Sequence, residues 1–326
     1  MHQPFVRLGQ PPQSLVQNGA AIAVKAQFNV TLHQPWHNLS LEARRATVYN
    51  PFVIDDRNLV LNLACSTCHG NGIDAFEGLG HAKSIWLAST GSGKTVLRGW
   101  IANGGDTRVV NYRGSAVAFF TRFHARQRKD VWLAHFNPYR ELKLQFSGRQ
   151  PSEGNWLPFV HDDRLHVVYK LCPFTVLSVD AETGSCQRVF MQAHNVSVLP
   201  MHQGHQTNLV CDRRDRGSAN GLNLHGDGTI VGLGHQKSNG PGRWYGHFFF
   251  RRNLYPPFQS VARSAIFVLP LIAPIPRNLV GRTQFSVSLR MKHRSVLIDY
   301  SLDDRCALTT AITWEVYCNF TGWCTI

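Results

Sequence analysis

Residues 157–190 run Leu157-Pro-Phe-Val-His161, Asp162-Asp163-Arg164, Leu165-His-Val-Val-Tyr-Lys170, Leu171-Cys-Pro-Phe174, Thr175-Val-Leu-Ser-Val-Asp180, Ala181-Glu-Thr-Gly-Ser185, Cys186-Gln-Arg-Val-Phe190. Four short β-branched or aromatic runs alternate with turn residues, which reads as four strands joined by short turns. The preceding stretch has the same form: Arg108 to Tyr112, Ser115 to Thr121, Val131 to Phe136 and Leu142 to Phe146, with a first turn at Asn111-Tyr112-Arg113-Gly114. Similar blocks begin near residues 49, 216 and 282, a repeat of about fifty to sixty-five residues. A repeating four-stranded sheet is the mark of a β-propeller, in which each blade covers the apolar face of the next. The expected fold is all-β: a five-bladed propeller of four-stranded antiparallel blades over residues 48–326, with 1–47 an N-terminal extension or blade closure. A β-sandwich with long loops is the alternative. Only Leu39 to Ala46 has a helical pattern.

Composition supports a packed core. Of 326 residues, 43% are hydrophobic and 17% charged, a balance that argues against disorder or a coiled coil. The longest apolar run, Ala265 to Ile275, is cut by Pro270 and Pro274 and is too short for a membrane helix. Met1-His2-Gln3-Pro4 has no basic n-region followed by an apolar stretch, so no signal peptide is visible. Four N-x-S/T sequons, at Asn29, Asn38, Asn195 and Asn319, point weakly to the secretory route. Eight cysteines lack framework spacing, and no disulfide staples are expected.

The net charge of +14 implies affinity for anions. The dense basic groups, Arg122-Arg126-Arg128-Lys129 and Arg213-Arg214-Arg216, do not interleave aromatics as a nucleic-acid surface would. Nucleic acid and phosphorylated small molecules are the candidate partners, and nucleic acid is the less favoured of the two.

In a propeller the first strand of each blade lines the central channel. Those strands begin with Tyr49-Asn50-Pro51, Gly105-Asp106-Thr107-Arg108, Glu153-Gly154-Asn155-Trp156, Arg216-Gly217-Ser218 and Arg282-Thr283-Gln284. Such a set suits a sugar: the aromatic stacks on its ring while amides and charges read its hydroxyls. Asn50, Asp106, Asn155 and Gln284 are expected to face one funnel.

Together with Gly234-His235, Tyr245-Gly246-His247-Phe248-Phe249, and Asp299-Tyr300 through Asp303-Asp304, these segments follow one order. That order resembles the five-bladed propeller carbohydrate enzymes related to the inverting mannoside phosphorylases, and the glycosyltransferases sharing their fold. The resemblance covers roughly Tyr49 to Trp314. Glu153-x-Asn155-Trp156-x-Pro158-Phe159 and His247-Phe248-Phe249 are its most specific segments. Where the family usually has Glu-Asp-Pro-Arg, this chain has Gly105-Asp106-Thr107-Arg108; where an Arg usually follows the first-blade Asn-Pro, Leu63-Ala64-Cys65 stands.

The resemblance implies glycosyl transfer or phosphorolysis on a mannoside-like sugar with inversion, and phosphate, a sugar phosphate or a nucleotide sugar as co-substrate. It implies Asp106 as the acid, with Glu153 and Asp304 as alternatives. The substrate-binding set is Asn50, Arg108, Asn155, Trp156, Tyr169, Arg216, Ser218, His235, His247, Gln284, Asp299 and Tyr300, with Arg108 as phosphate clamp. Inversion needs a proton donor and room for a nucleophile on the opposite face; phosphate as nucleophile needs cations rather than a strong base. The alternative is a non-catalytic sugar-binding propeller or degenerate relative.

Three further motifs are set aside. Cys65-Ser-Thr-Cys68-His69 matches the c-type haem signature but follows a strand-like run inside a blade, and its extension to zinc through His81 would need tetrahedral closure from one short loop. No haem and no metal is assigned. Ala88-Ser-Thr-Gly-Ser-Gly-Lys-Thr95 resembles a phosphate-binding loop, yet Gly99, Gly104 and Gly105 break the helix it requires; Gly91-Ser92-Gly93 reads as a hairpin turn. No serine sits in a G-x-S-x-G elbow.

Overall fold

A computed structural model describes residues 29–31, 46–53, 58–65, 83–89, 95–101, 104–124, 128–192, 212, 214–222, 225–237, 245–269, 283–302 and 306–324. After β1 (Asn29–Thr31) the strands follow in fours. The first set is β2 (Ala46–Val53), β3 (Asn58–Cys65), β4 (Lys83–Ser89) and β5 (Thr95–Ile101); the second is β6 (Gly104–Tyr112), β7 (Ser115–Phe123), β8 (Lys129–Phe136) and β9 (Tyr139–Lys143). Next come β10 (Leu157–His161), β11 (Arg164–Leu171), β12 (Phe174–Val179) and β13 (Cys186–Met191), then β14 (Arg216–Leu222), β15 (Thr229–Lys237), β16 (Tyr245–Asn253) and β17 (Ser260–Arg263). The last strands are β18 (Gln284–Lys292), β19 (Ser295–Leu302) and β20 (Cys306–Thr313), followed by the helix α1 (Trp314–Thr321).

Each group of four forms one antiparallel sheet in sequence order, and β1 completes the last in the order β1-β20-β19-β18. The molecule is an all-β propeller of four-stranded antiparallel blades. The first strands meet in cyclic order: β2 with β6, β6 with β10, β10 with β14, β14 with β18, and β18 with β2.

Alternation of side chains along each strand builds the packing between sheets. On β11, Leu165, Val167 and Tyr169 join Phe119 and Leu133 of the sheet before, while Val168 faces Phe248 and Phe250 of the sheet after. On β16 the intervening Phe249 packs with Tyr300 and Tyr317.

Two elements differ from the sequence expectation. The fourth strand of the β6 sheet is Tyr139–Lys143 rather than Leu142–Phe146, because β8 turns back at once through Asn137-Pro138 and pairs Phe136 with Tyr139. The helix α1 was not expected, since Trp314-Glu-Val-Tyr-Cys-Asn-Phe-Thr321 is aromatic and β-branched, a strand-like composition. Its ends explain it. Val316 N donates to the Thr313 hydroxyl at the N-cap, and Gly322 closes the C-terminus at φ 67°. Burial of Tyr317 against Phe249 fixes its apolar face.

The expectation of no disulfides is also corrected: Cys318 and Cys324 are bonded, and Cys172 is disulfide-bonded as well. Closing a short loop stabilises the end of the helix by restricting the unfolded chain. The phosphate-loop-like stretch is flanked by antiparallel strands, β4 and β5, with no helix after it. Residues 39–45, 66–69 and 90–94 lie outside the described residues.

Candidate functional site

The strand β14 begins where a cavity of about 440 Å³ opens beside Glu153 and Asn155. Its wall comes from Lys129 at the start of β8, Gln150 and Ser152–Asn155 before β10, Tyr169–Pro173 around the β11–β12 turn, and Asp215–Gly217 entering β14. All these segments lie at one mouth of the propeller, at the ends where the first strands start. Of the expected residues, the cavity brings together Glu153, Asn155, Tyr169 and Arg216.

Glu153 is fixed by three donors. Its Oε1 accepts from the Tyr169 hydroxyl at 2.8 Å and from the Gln150 backbone N–H, and its Oε2 accepts from Trp156 Nε1 at 3.2 Å. The rings of Phe146 and Trp156 stand edge-on to Tyr169 at 5.2 Å. Burial and the adjacent Glu153 raise the Tyr169 hydroxyl above the ordinary tyrosine range, so it stays protonated and donates. Trp156 is buried; its ring forms the backing of Glu153 rather than an open stacking platform.

Asp215 was not among the residues expected from sequence. The one signal was its place immediately before Arg216-Gly217-Ser218. Its carboxylate is 5% exposed, accepts from Gln236 Nε2 at 2.7 Å and is gripped by Arg263 through Nε and Nη2, each at 3.2 Å. Arg263 in turn lies over Phe248 at 3.9 Å. Burial outweighs these partners and raises the Asp215 pKa. A carboxyl held above its usual range beside a cavity suits proton donation. Lys129, Lys170 and Arg216 supply positive charge to the same wall, as anionic substrate groups require.

Asp106 and Arg108 take other positions. Asp106 adopts φ 54° where the β6–β7 register slips between Gly105 and Arg108. Arg108 is buried; its Nε donates to Ser218 O and its Nη1 to Asp106 O, both at 2.8 Å, and its Nη2 has no hydrogen-bond partner among the described residues. Burial lowers its pKa to about 10, against the pull of Asp106. The guanidinium thus ties β6 to β14, whereas Arg216 lines the cavity with Lys129 and Lys170. Beside it the Ser218 hydroxyl meets His235 Nδ1 at 2.8 Å, and the His235 ring sits between Tyr245 and Phe285. Burial foremost, with His247 and Arg108 nearby, holds His235 neutral.

The remaining expected residues are distributed through the frame. Gln284 does not face the funnel: its amide accepts from Leu269 N at 3.0 Å and donates to Leu269 O at 2.6 Å, which pins the chain entering the last sheet. Asp299 is fully buried, paired with Arg290 and Thr309, and Tyr300 packs in the core with Phe249. His247 is fully buried against Phe267, and burial lowers its pKa to about 3. The Asn50 side chain and Asp304 lie outside the described residues. Among the described residues no group of three or more His, Cys, Asp or Glu is placed to hold a metal, and no helix is long and apolar enough to cross a membrane.

No protein-family model matches the chain, and no curated protein matches it. Solved structures do. A mannose phosphorylase from Leishmania mexicana, in complex with a phosphate ion, is 12% identical with a TM-score of 0.52, over 86% of this chain and 87% of that one. A β-1,2-mannobiose phosphorylase from Listeria innocua, in complex with β-1,2-mannobiose, is 10% identical with a TM-score of 0.57, over 90% and 99%. A glycosyl hydrolase from Bacteroides ovatus is 12% identical with a TM-score of 0.52, over 83% and 85%. The chain shares the propeller fold of these carbohydrate enzymes along most of its length.

Proposed function

We propose that the protein is a five-bladed propeller over residues 48–326, closed by a strand from the preceding 47 residues, that transfers a glycosyl unit of a mannoside-like sugar to or from phosphate with inversion. The observation that carries this reading is the cavity where Asp215 and Glu153 meet Lys129, Lys170 and Arg216. The fold shared with a mannose phosphorylase and a mannobiose phosphorylase supports it.

Asp215 protonates the glycosidic oxygen as the bond to the anomeric carbon breaks, and a phosphate oxygen forms the new bond from the opposite face. The cations hold the phosphate in line, and Glu153 and Asn155 orient sugar hydroxyls. Asp106 remains the alternative acid.

A second reading, a sugar-binding propeller without turnover, is favoured by one feature: Gly105-Asp106-Thr107-Arg108 commits Arg108 to two backbone carbonyls. Incubation with β-mannosides and phosphate, and in reverse with mannose 1-phosphate or GDP-mannose plus monosaccharide acceptors, separates the two. Release of mannose 1-phosphate, phosphate or nucleotide establishes the enzyme. Saturable sugar binding without release establishes the binding module.

A further inference from the structure

Two aspartates three positions apart share one amide. The Asp215 backbone N–H donates to the Asp212 carbonyl at 2.9 Å, and this turn before β14 brings both carboxyls to Gln236 of β15. Gln236 is buried, and its Nε2 donates to Asp212 Oδ2 at 3.0 Å and to Asp215 Oδ1 at 2.7 Å. An amide nitrogen carries two hydrogens. Each carboxyl takes one, so a single side chain orients both.

The two carboxyls are otherwise treated differently. Asp212, 25% exposed, is held by Arg214: Nη2 reaches Oδ2 at 2.6 Å, Nε lies 3.1 Å from both oxygens, and the Arg214 backbone N–H donates to Oδ1 at 2.8 Å. These bonds, with the Arg214 side chain foremost, lower the Asp212 pKa and keep it ionised. Asp215 is raised instead, by burial first and also by Asp212 as a like charge. Neighbouring carboxyls whose surroundings push their titrations apart divide into a charged partner and an acid. The two oxygens of Asp215 differ as well. Oδ1 accepts from Gln236 and from Arg263 Nη2, whereas Oδ2 accepts only from Arg263 Nε among the described residues. Oδ2 is therefore the oxygen with room for a proton.

Other charged or titratable groups come to Asp215 from each element around it. Arg263 of β17 grips the carboxyl, Arg216 Nη1 donates to the Asp215 carbonyl at 3.0 Å, and His235 and Lys237 flank Gln236 on β15. Lys129, Glu153, Tyr169 and Lys170 line the same cavity. We infer that Asp212, acting through Gln236, is a positioning residue for the proposed glycosyl transfer: its fixed negative charge keeps the proton on Asp215, and the shared amide turns that carboxyl so that Oδ2 delivers it. This deepens the reading of Asp215 as the acid and rests on it. As the bond between the anomeric carbon and the glycosidic oxygen breaks, that oxygen takes the Oδ2 proton and a phosphate oxygen bonds to the anomeric carbon. The carboxylate left on Asp215 keeps Gln236 and Arg263 as its donors.

The test is an NMR titration of the full chain carrying isotope-labelled aspartate carboxyls, run beside a pH profile of turnover. The Asp215 signal is identified by its loss in Asp215→Asn. Asp212→Asn removes the like charge and releases Arg214, so the Asp215 midpoint should fall by about half a pH unit or more, about threefold in proton affinity. Gln236→Met removes a donor to the ionised form, so the midpoint should rise by about as much. The opposite signs separate tuning from loosening, because greater exposure to water would lower the midpoint in both variants. The alkaline limb of turnover should move with each midpoint, with KM little changed in Asp212→Asn. Midpoints that stay put, or that move the same way in both variants, would overturn the role of Asp212. Midpoints that move as stated while the limb does not follow would overturn Asp215 as the acid and leave its coupling to Asp212 standing.

Discussion

The backbone oxygen of Asn155 lies 2.6 Å from where a Cβ on Gly217 would stand. No side chain fits between them, so β14 approaches the segment before β10 as closely as backbones can, and both residues line the cavity. Gly217→Ala should therefore force the two apart. Overpacking of this kind costs about 1–3 kcal/mol, and the same displacement should weaken sugar binding. Thermal melting and a sugar titration on the variant measure both. An unchanged melting temperature would mean that the junction yields freely.

Asp215→Asn should abolish turnover while sparing sugar binding, because the amide keeps the shape but cannot donate the proton. Loss of a general acid costs about a hundredfold to ten-thousandfold in rate. In the wild type, turnover should fall as pH rises through the raised pKa of Asp215, and that limb should vanish in the variant. Near-wild-type activity for Asp215→Asn, with loss in Asp106→Asn, would move the acid to Asp106.

Stability should fall on acidification. His247 is held neutral by burial, with a folded pKa of about 3 against an ordinary 6.5. The unfolded chain therefore binds the proton first, so the stabilisation is fully present above pH 6.5 and is lost as pH falls towards 3. His235, lowered in the same way, adds to this slope. Melting temperatures across that window should drop steeply in the wild type and more gently in His247→Leu. Identical slopes would assign the acid sensitivity to other groups.

Cys324→Ser should lower stability by about 2 kcal/mol by the loop-entropy relation for a short closure. The fluorescence of Trp323, which lies 6% exposed within 5.6 Å of Arg251, should report loosening of the chain end before global unfolding. A melt in which Trp323 fluorescence and sheet signal remain coincident would argue against such local release.

The sheets were readable in the chain because their turns are loud. Asp162-Asp163 and Arg113-Gly114 adopt left-handed backbone conformations at the hairpin tips, and Asn, Asp and Gly announce such positions. The site was readable in part. Glu153, Asn155 and Arg216, which line the cavity, could be picked out because they stand at the starts of first strands. Asp215 escaped notice because its burial depends on Arg263 of β17 and Gln236 of β15, contacts far along the chain. Gln284 misled for the opposite reason: the start of a first strand is also where the backbone of a preceding segment must be satisfied, and Leu269 takes its amide.

The pairing of β1 with β20 sets Asn29 opposite Ala311, so a strand made before the other sheets must wait for one made after them. On a ribosome, the intervening sheets can assemble one by one as they emerge. The β18 sheet cannot close until β20 has been made, and β19 presents an unpaired edge during that interval. Contacts so distant in the chain slow folding, and an uncovered strand edge invites association with other chains. Translation of the stretch from β18 to β20 is therefore the step at which these sheets most need protection from their neighbours.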